Sequence, residues 1–580
     1  EMLENARAIQ QLNFMPEFRP GKAGEFFEEL DAAVSGDPKL PIWHGELYLE
    51  MHRGTYTSQG KQKRANRKSE FLLGNAELYS SLAHALVPEF SYPQAEINQA
   101  WELVLVNQFH DIIPGSSIGP VYEDSQKQYT EVKYLGKNVL QEASQALISQ
   151  MDVAAGELVV FNPLSWERSD LVLAPWRDDL DGAIAIDDDG DRSAIQKTEV
   201  EGEVKAAFWV ENVPAKGYKV LKVEKADMPR PTMAITTSSM ENDFFLINID
   251  ENGRLCRIFD KANQREVLAP GMVGNSLIAF EDKPVNWDAW DIDIFYQEKS
   301  WEITDLRTAK VLENGPEKAV VGLKWRFMDS TISQKLILYR RIPRIDFETE
   351  VDWHEHQTLL KAAFPVDIYT SKATYDIQFG NVERPTHWNT SWDWARFEVV
   401  GHKWADLSQR DYGVSLLNDC KYGHDIKDNV IRLTLIKAGI MPDPNADQGL
   451  HRFTYSLYPH TDDWYKGQTV PEAYALNNPL WAVPAADAGT GRLPRVFGLV
   501  DDLGEGIVLE TVKKAEDSDA LILRFYEYGG GEVKANIAPN LPVKDLSTTD
   551  LMERPLGETI ADELSFTPYE IHTIKASLDG

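Results

Sequence analysis

Leu158-Val159-Val160-Phe161-Asn162-Pro163 divides the chain into two textures. Four apolar residues stopped by an Asn-Pro turn signal predict a short buried strand rather than a helix. The same pattern recurs downstream in Phe208-Trp209-Val210, in Tyr218-Lys219-Val220-Leu221 and in residues 320–327, 334–340 and 344–351, parted by Pro, Gly and Asn turns. Asn252-Gly253, between residues 244–249 and 255–259, is a hairpin signal, because a two-residue type I′ turn needs positive φ at both central positions. Residues 158–580 therefore predict an all-β block stacked as sandwiches.

Upstream of that point the period is helical. Tyr129, Val132, Leu135, Val139, Ala143 and Leu147 share one face of a helix predicted over residues 122–150. Residues 61–86 predict a second helix, whose basic cluster (Lys61, Lys63, Arg64, Arg67, Lys68) is expected on one solvated face. Ile97, Trp101, Val104 and Leu105 carry a third helix, and three helices with short connections predict a small bundle. Further upstream, Phe26, Phe27 and Leu30 mark a short helix over residues 24–34, and the alternation in residues 40–50 predicts a strand.

The third helix runs into Asn107-Gln108-Phe109-His110-Asp111-Ile112-Ile113-Pro114-Gly115-Ser116-Ser117. Pro114 lacks an amide donor and Gly115 tolerates positive φ, so the helix stops and His110 and Asp111 sit on a bent turn. That placement suits a metal ligand beside a polar substrate contact, although by residue type such a pair is more often hydrogen-bonded structure. Glu46, Glu50, His52 and Arg53 gather beyond the predicted strand, where α/β folds place their chemistry; a solvated loop with surface ion pairs competes with that reading. In the β block, Trp287-Asp288-Ala289-Trp290-Asp291-Ile292-Asp293, Arg384-Pro385-Thr386-His387-Trp388-Asn389 and the polar loop at residues 442–451 mix rings, carboxylates and amides. Sugars are held that way, rings covering C–H faces and carboxylates accepting from hydroxyls.

At 580 residues, three to five domains are expected. A net charge of −33 opposes nucleic acid and anionic membranes as partners. No apolar run approaches the ~20 residues of a membrane-spanning helix. Two cysteines, Cys256 and Cys420, imply no disulfide framework and fit a reducing, cytoplasmic compartment. The opening Glu1-Met2-Leu3-Glu4 falls in mid-pattern, as a cut end would, leaving any targeting signal out of view.

In order along the chain stand residues 43–57, Gln108-Phe109-His110-Asp111-Ile112-Ile113-Pro114-Gly115-Ser116, Trp287-Asp288-Ala289-Trp290-Asp291, Phe379-Gly380 with Arg384-Pro385-Thr386-His387, and Asn418-Asp419-Cys420-Lys421-Tyr422-Gly423. Together these closely resemble the retaining α-mannosidases of glycoside hydrolase family 38, in the cytosolic or vacuolar subgroup. The resemblance implies a multidomain fold: the end of an α/β barrel-like catalytic domain (residues 1–60), a three-helix bundle (61–150), a small β-sandwich (151–235), a large one (236–485) and a C-terminal one (486–580). It implies one zinc ion per full-length subunit, held by a His-x-Asp pair, an aspartate nucleophile and a histidine matched here by His110. It places Asp111, His52, Arg53, Tyr56, Trp287, Asp288 and Asp291 at the sugar.

The nucleophile, the acid/base aspartate and the remaining ligands match nothing in this chain and are expected upstream of Glu1. The full-length parent is thus expected to release terminal α-D-mannose from oligosaccharides or free N-glycans by the two-step retaining route, and this chain alone to be inactive and to lose its zinc. A homo-oligomer is compatible with the reading. Two alternatives are a non-catalytic carbohydrate-binding β-sandwich protein, and a β-rich glycosidase or lyase using Asp288, Asp291 and Asp293.

Overall fold

A computed structural model describes residues 1–14, 16–560 and 563–579. The chain forms two compact units, residues 1–49 and 50–580. The first holds helices α1 (Met2–Gln10) and α2 (Ala23–Val34), as the Phe26, Phe27, Leu30 spacing predicts. The strand expected over residues 40–50 is absent: residues 40–49 are irregular and Glu50 begins a 3-10 turn, Glu50–His52. Alternation of side chains does not supply a pairing partner, Pro41 has no amide to donate, and Gly45 sits at φ +117°.

The second unit begins with three long helices, α3 (Gly60–Leu86), α4 (Gln94–Asn107) and α5 (Gly119–Gln150). Pro120 stands in the first turn of α5, where its missing amide costs nothing. Tyr129, Val132, Val139, Ala143 and Leu147 are buried along α5, the face that the spacing selects. Gly136 lets α5 approach α3, since a Cβ there would lie 2.9 Å from the Leu72 side chain. No helix among the described residues is long and apolar enough to cross a membrane.

The rest is β. A nine-stranded sheet is built around Leu158–Asn162, which pairs with Gly217–Lys225 on one side and with Trp481–Pro484 on the other. Residues 481–484 and 496–497 thus return to the sheet begun by residues 158–225. A five-stranded meander follows over residues 234–266, its hairpin at Asn252-Gly253 held by the Asp250 carboxylate on the Asn252 and Arg254 amides. Residues 276–461 make a six-stranded and a second nine-stranded sheet, in contact through Phe364 of one and Phe347 and Tyr455 of the other. Residues 507–578 close the chain with a five-stranded sheet and a two-stranded one.

Helical and β parts share one core. Leu78, Tyr79 and Leu82 of α3 and Leu147 of α5 pack with Phe161, Leu509, Leu523 and Phe525. The Tyr79 ring meets Phe161 edge-on at 5.0 Å. Burial of this size fixes the helices on the sheets and gives the loops between them a rigid seat.

Candidate functional site

The first turn of α3 is where distant loops converge. Gln59, in the left-handed region at φ 57°, precedes the helix and leaves its first amides without intrahelical partners. The Asp447 carboxylate takes two of them, from Gln59 N at 2.6 Å and Gly60 N at 2.7 Å, while Asp443 accepts from the Gln59 side chain at 2.8 Å. Burial pushes the Asp447 carboxyl above its ordinary range, against those amides and the nearby lysines Lys421 and Lys63. The polar loop at residues 442–451 therefore anchors a helix start.

The basic cluster of α3 is not a solvated face: Lys63 and Arg67 are 4% and 3% exposed. Acceptors far away in sequence draw them inward. The Lys63 ammonium donates to the carbonyls of Ser58 (2.6 Å) and Ile113 (2.9 Å), joining the 52–59 turn to the 108–117 loop. Burial lowers its pKa to about 7, in spite of Asp447 and with the help of Lys421. Arg67 lies over the Tyr422 ring at 4.5 Å and donates Nε to its hydroxyl at 2.9 Å. Lys68 pairs with Asp419 at 3.0 Å; burial pushes that carboxyl up, but Lys68 and the Thr454 amide bring it to about 2. The 418–423 motif is thus the counter-surface of α3.

The 287–291 loop reaches the same turn. Gly54 N and Thr55 N donate to the Trp290 carbonyl at 2.8 and 3.2 Å, and the Ser58 hydroxyl to the Ala289 carbonyl at 2.6 Å. Arg53, 7% exposed, spans the junction: it donates to the Ala395 carbonyl (3.0 Å) and the Asp291 carboxylate (3.2 Å) and covers the Phe397 ring. Burial raises the Asp291 pKa, with Arg53 opposing. Asp288 is buried and accepts from the Ile440 amide, and Asp293 from the Val285 amide. The three carboxylates of this segment are therefore bound to backbone amides or to Arg53, which removes support for a catalytic pair among them. Trp287 is the exposed member, 58% accessible and held at φ +64°.

His110 and Asp111 project from the end of α4 with side chains 77% and 54% exposed, 3.4 Å apart. The Ser117 hydroxyl donates to the Asp111 carbonyl at 2.7 Å, fixing the bend, and the His110 ring leans on Phe109 at 4.3 Å. Zinc needs three or four nitrogen, sulfur or oxygen ligands in a tetrahedral set. Among the described residues no three His, Cys, Asp or Glu side chains gather to hold a metal. The described residues do not by themselves make a zinc site.

Of the residues singled out by sequence, Arg53 and Asp288 are interior fixings, and His52, Tyr56 and Asp291 are half-buried in the junction. His110, Asp111 and Trp287 face outward. Sequence reasoning missed Lys63, Arg67, Glu70 and Asp447. The first three recur at helical spacing, a polar stripe whose inward direction only the tertiary partners reveal.

The second unit is thus a helical domain seated on stacked β-sheets, with its motif loops gathered at one helix start. Residues 50–147 match the alpha mannosidase middle domain, 240–445 the glycosyl hydrolases family 38 C-terminal domain, and 506–574 that family's C-terminal beta sandwich domain. The chain belongs to glycoside hydrolase family 38. It is 35% identical to human alpha-mannosidase 2C1 over 98% of its own length and 54% of that protein's. It is 33% identical to Dictyostelium discoideum alpha-mannosidase G, over 99% of this chain and 56% of that one. The chain thus spans about half the length of the curated relatives it matches. An alpha-mannosidase from Enterococcus faecalis V583 shares the fold with a TM-score of 0.79 at 18% identity, over 99% of this chain and 74% of that chain.

Proposed function

We propose that this chain is the helical and β-sandwich part of a zinc-dependent retaining α-mannosidase that releases terminal α-D-mannose from oligosaccharides. In this reading α3, α4 and α5 are the three-helix bundle and residues 1–49 the end of a barrel-like catalytic domain. The supporting observation is the junction: motif loops centred near residues 55, 112 and 289 are locked together by Lys63, Gly115 and Arg53. Such locking pre-sets the direction of the exposed His110 and Asp111 side chains, which is what a ligand and a substrate contact require.

His110 would contribute one imidazole to a zinc whose other ligands lie outside this chain; zinc supplies electrostatic stabilisation of the sugar's own oxygens when bound. Asp111 accepts from mannose hydroxyls, Trp287 offers a ring to a C–H face, and His52 and Tyr56 line the wall. Arg53, Asp288 and Asp291 hold that wall in place. A cytosolic location belongs to the same proposal; Cys256 and Cys420 are free thiols. The test is turnover of an aryl α-mannoside by this 580-residue chain and by a protein that also carries the missing ligands. The longer protein is expected to be active and this chain inactive; turnover by this chain overturns the proposal.

A further inference from the structure

Helix α3 presents Lys63, Arg67, Glu70, Gly74 and Glu77, one face at helical spacing, to a cavity of about 750 Å³. The facing wall includes Tyr422, His402, Phe379, Tyr474 and Tyr526, and Trp101 and Gln108 also line the space. That volume falls within the range of small-molecule sites.

One residue lining it has a buried polar atom without a partner. Arg67 donates Nε to Tyr422 (2.9 Å) and Nη1 to Asn477 (3.1 Å), but its Nη2 is buried and has no partner among the described residues. A buried guanidinium nitrogen left without an acceptor is unfavourable, and an occupant of the cavity that reaches it with an acceptor relieves that cost. Beside it Glu70, an acceptor, receives the Gln108 amide at 2.9 Å. Three cations line the space, Lys63, Arg67 and Lys403, the last paired with Asp376 at 3.0 Å; against them stand Glu70, Glu77 and Glu510. A balanced lining does not select an ion. A hydroxyl accepts from Arg67 and donates to Glu70 at once without bringing a second negative charge beside that carboxylate, as an oxyanion does, and its carbon skeleton meets aromatic faces.

We propose that this cavity binds a neutral pyranose through Arg67 and Glu70, between the rings of Tyr422, Trp101 and Phe379. The cavity shares Tyr56 with the wall proposed above, but the binding residues named here, Arg67 and Glu70, have no part in the catalytic reading, from which the inference borrows the choice of probe.

The test is calorimetric titration of the 580-residue chain with methyl α-D-mannopyranoside, with glycerol and inorganic phosphate as comparison probes. Saturable one-site binding of the mannoside is expected, at least about tenfold weaker in Arg67→Met. Because Arg67 also holds Tyr422 and Asn477, a second variant decides the matter if Arg67→Met fails to fold. Gly74 lies on the cavity wall with no atom within 4 Å of a Cβ built on it, so Gly74→Leu carries a side chain into the space from an open position. Leucine is also the better helix former, so the unfolding midpoint should hold or rise while binding is lost. Absence of saturable mannoside binding, binding unchanged in Gly74→Leu, or phosphate binding that competes with the mannoside would each overturn the proposal. A catalytic role for His110 could fail without touching any of these readouts.

Discussion

Gly115 lies against the backbone of Ser58: a Cβ on Gly115 would stand 2.6 Å from the Ser58 carbonyl carbon and overlap its oxygen. The residue is at φ +89°, so both its conformation and its surroundings require glycine. Two loops that begin more than fifty residues apart are thereby pressed together, and Lys63 ties the same carbonyl to Ile113.

Alanine at Gly115 should therefore cost more than its backbone conformation alone. Gly156 provides the control, because it has the same φ of +89° but open space around a Cβ. Gly156→Ala is expected to lose about 1 kcal/mol and Gly115→Ala about 3 kcal/mol or more. Urea unfolding of both variants checks this; equal losses would mean that the Ser58 contact yields freely.

Arg53 and Asp291 should be energetically coupled. Replacing Arg53 by Met leaves a largely buried carboxylate without its guanidinium and is expected to cost about 2–3 kcal/mol. Asp291→Asn should cost less, and the double variant should show a coupling of about 1 kcal/mol or more. Strict additivity in the cycle would show that the ion pair does not hold the 287–291 loop to the turn.

Glu77 predicts a pH dependence. Burial raises its pKa from 4.5 to about 7, opposed by Lys513. Between pH 4.5 and 7 the folded chain holds a proton that the unfolded chain has released, so this group's contribution to stability is largest below 4.5 and falls as pH rises to 7. Glu77→Gln should remove that fall, gaining on the wild type by about 3 kcal/mol at most between pH 5 and pH 7.5. Parallel pH profiles for the two proteins would contradict the assignment.

Trp287 carries a bulky side chain in the left-handed region while largely exposed, a conformation with a cost set against one edge-on ring contact, to Trp290 at 5.7 Å. Trp287→Gly should leave stability unchanged or raise it by up to about 1 kcal/mol. In a longer protein that carries this chain together with the proposed remaining ligands, the same change should raise KM for an aryl α-mannoside about fivefold, the loss of one ring contact. Unchanged KM would place Trp287 outside the sugar pocket.

The helical period of α5 was legible because Tyr129, Val132 and Val139 bury one continuous stripe, and the strand at Leu158–Asn162 because a short apolar run ended at a turn signal. What sequence could not supply was partners. The alternation at residues 40–50 is real, but residues 40–49 belong to none of the described strands. Lys63 and Arg67 read as solvated because their acceptors, Ile113, Tyr422 and Asn477, sit on other elements, two of them more than 350 residues away. The return of Trp481–Pro484 to the sheet of Leu158–Asn162 is likewise a long-range pairing that no local pattern encodes. At the candidate site, the exposed turn of His110 and Asp111 was legible from Pro114 and Gly115, whereas the interior roles of Arg53 and Asp288 depend on burial.

The most direct measurement is the zinc content and aryl α-mannoside turnover of a longer protein that carries this chain together with the proposed remaining ligands, with and without His110→Ala. If His110 is a ligand, the variant should fold, lose bound zinc and lose turnover together. A variant that keeps both its zinc and its turnover would contradict that role.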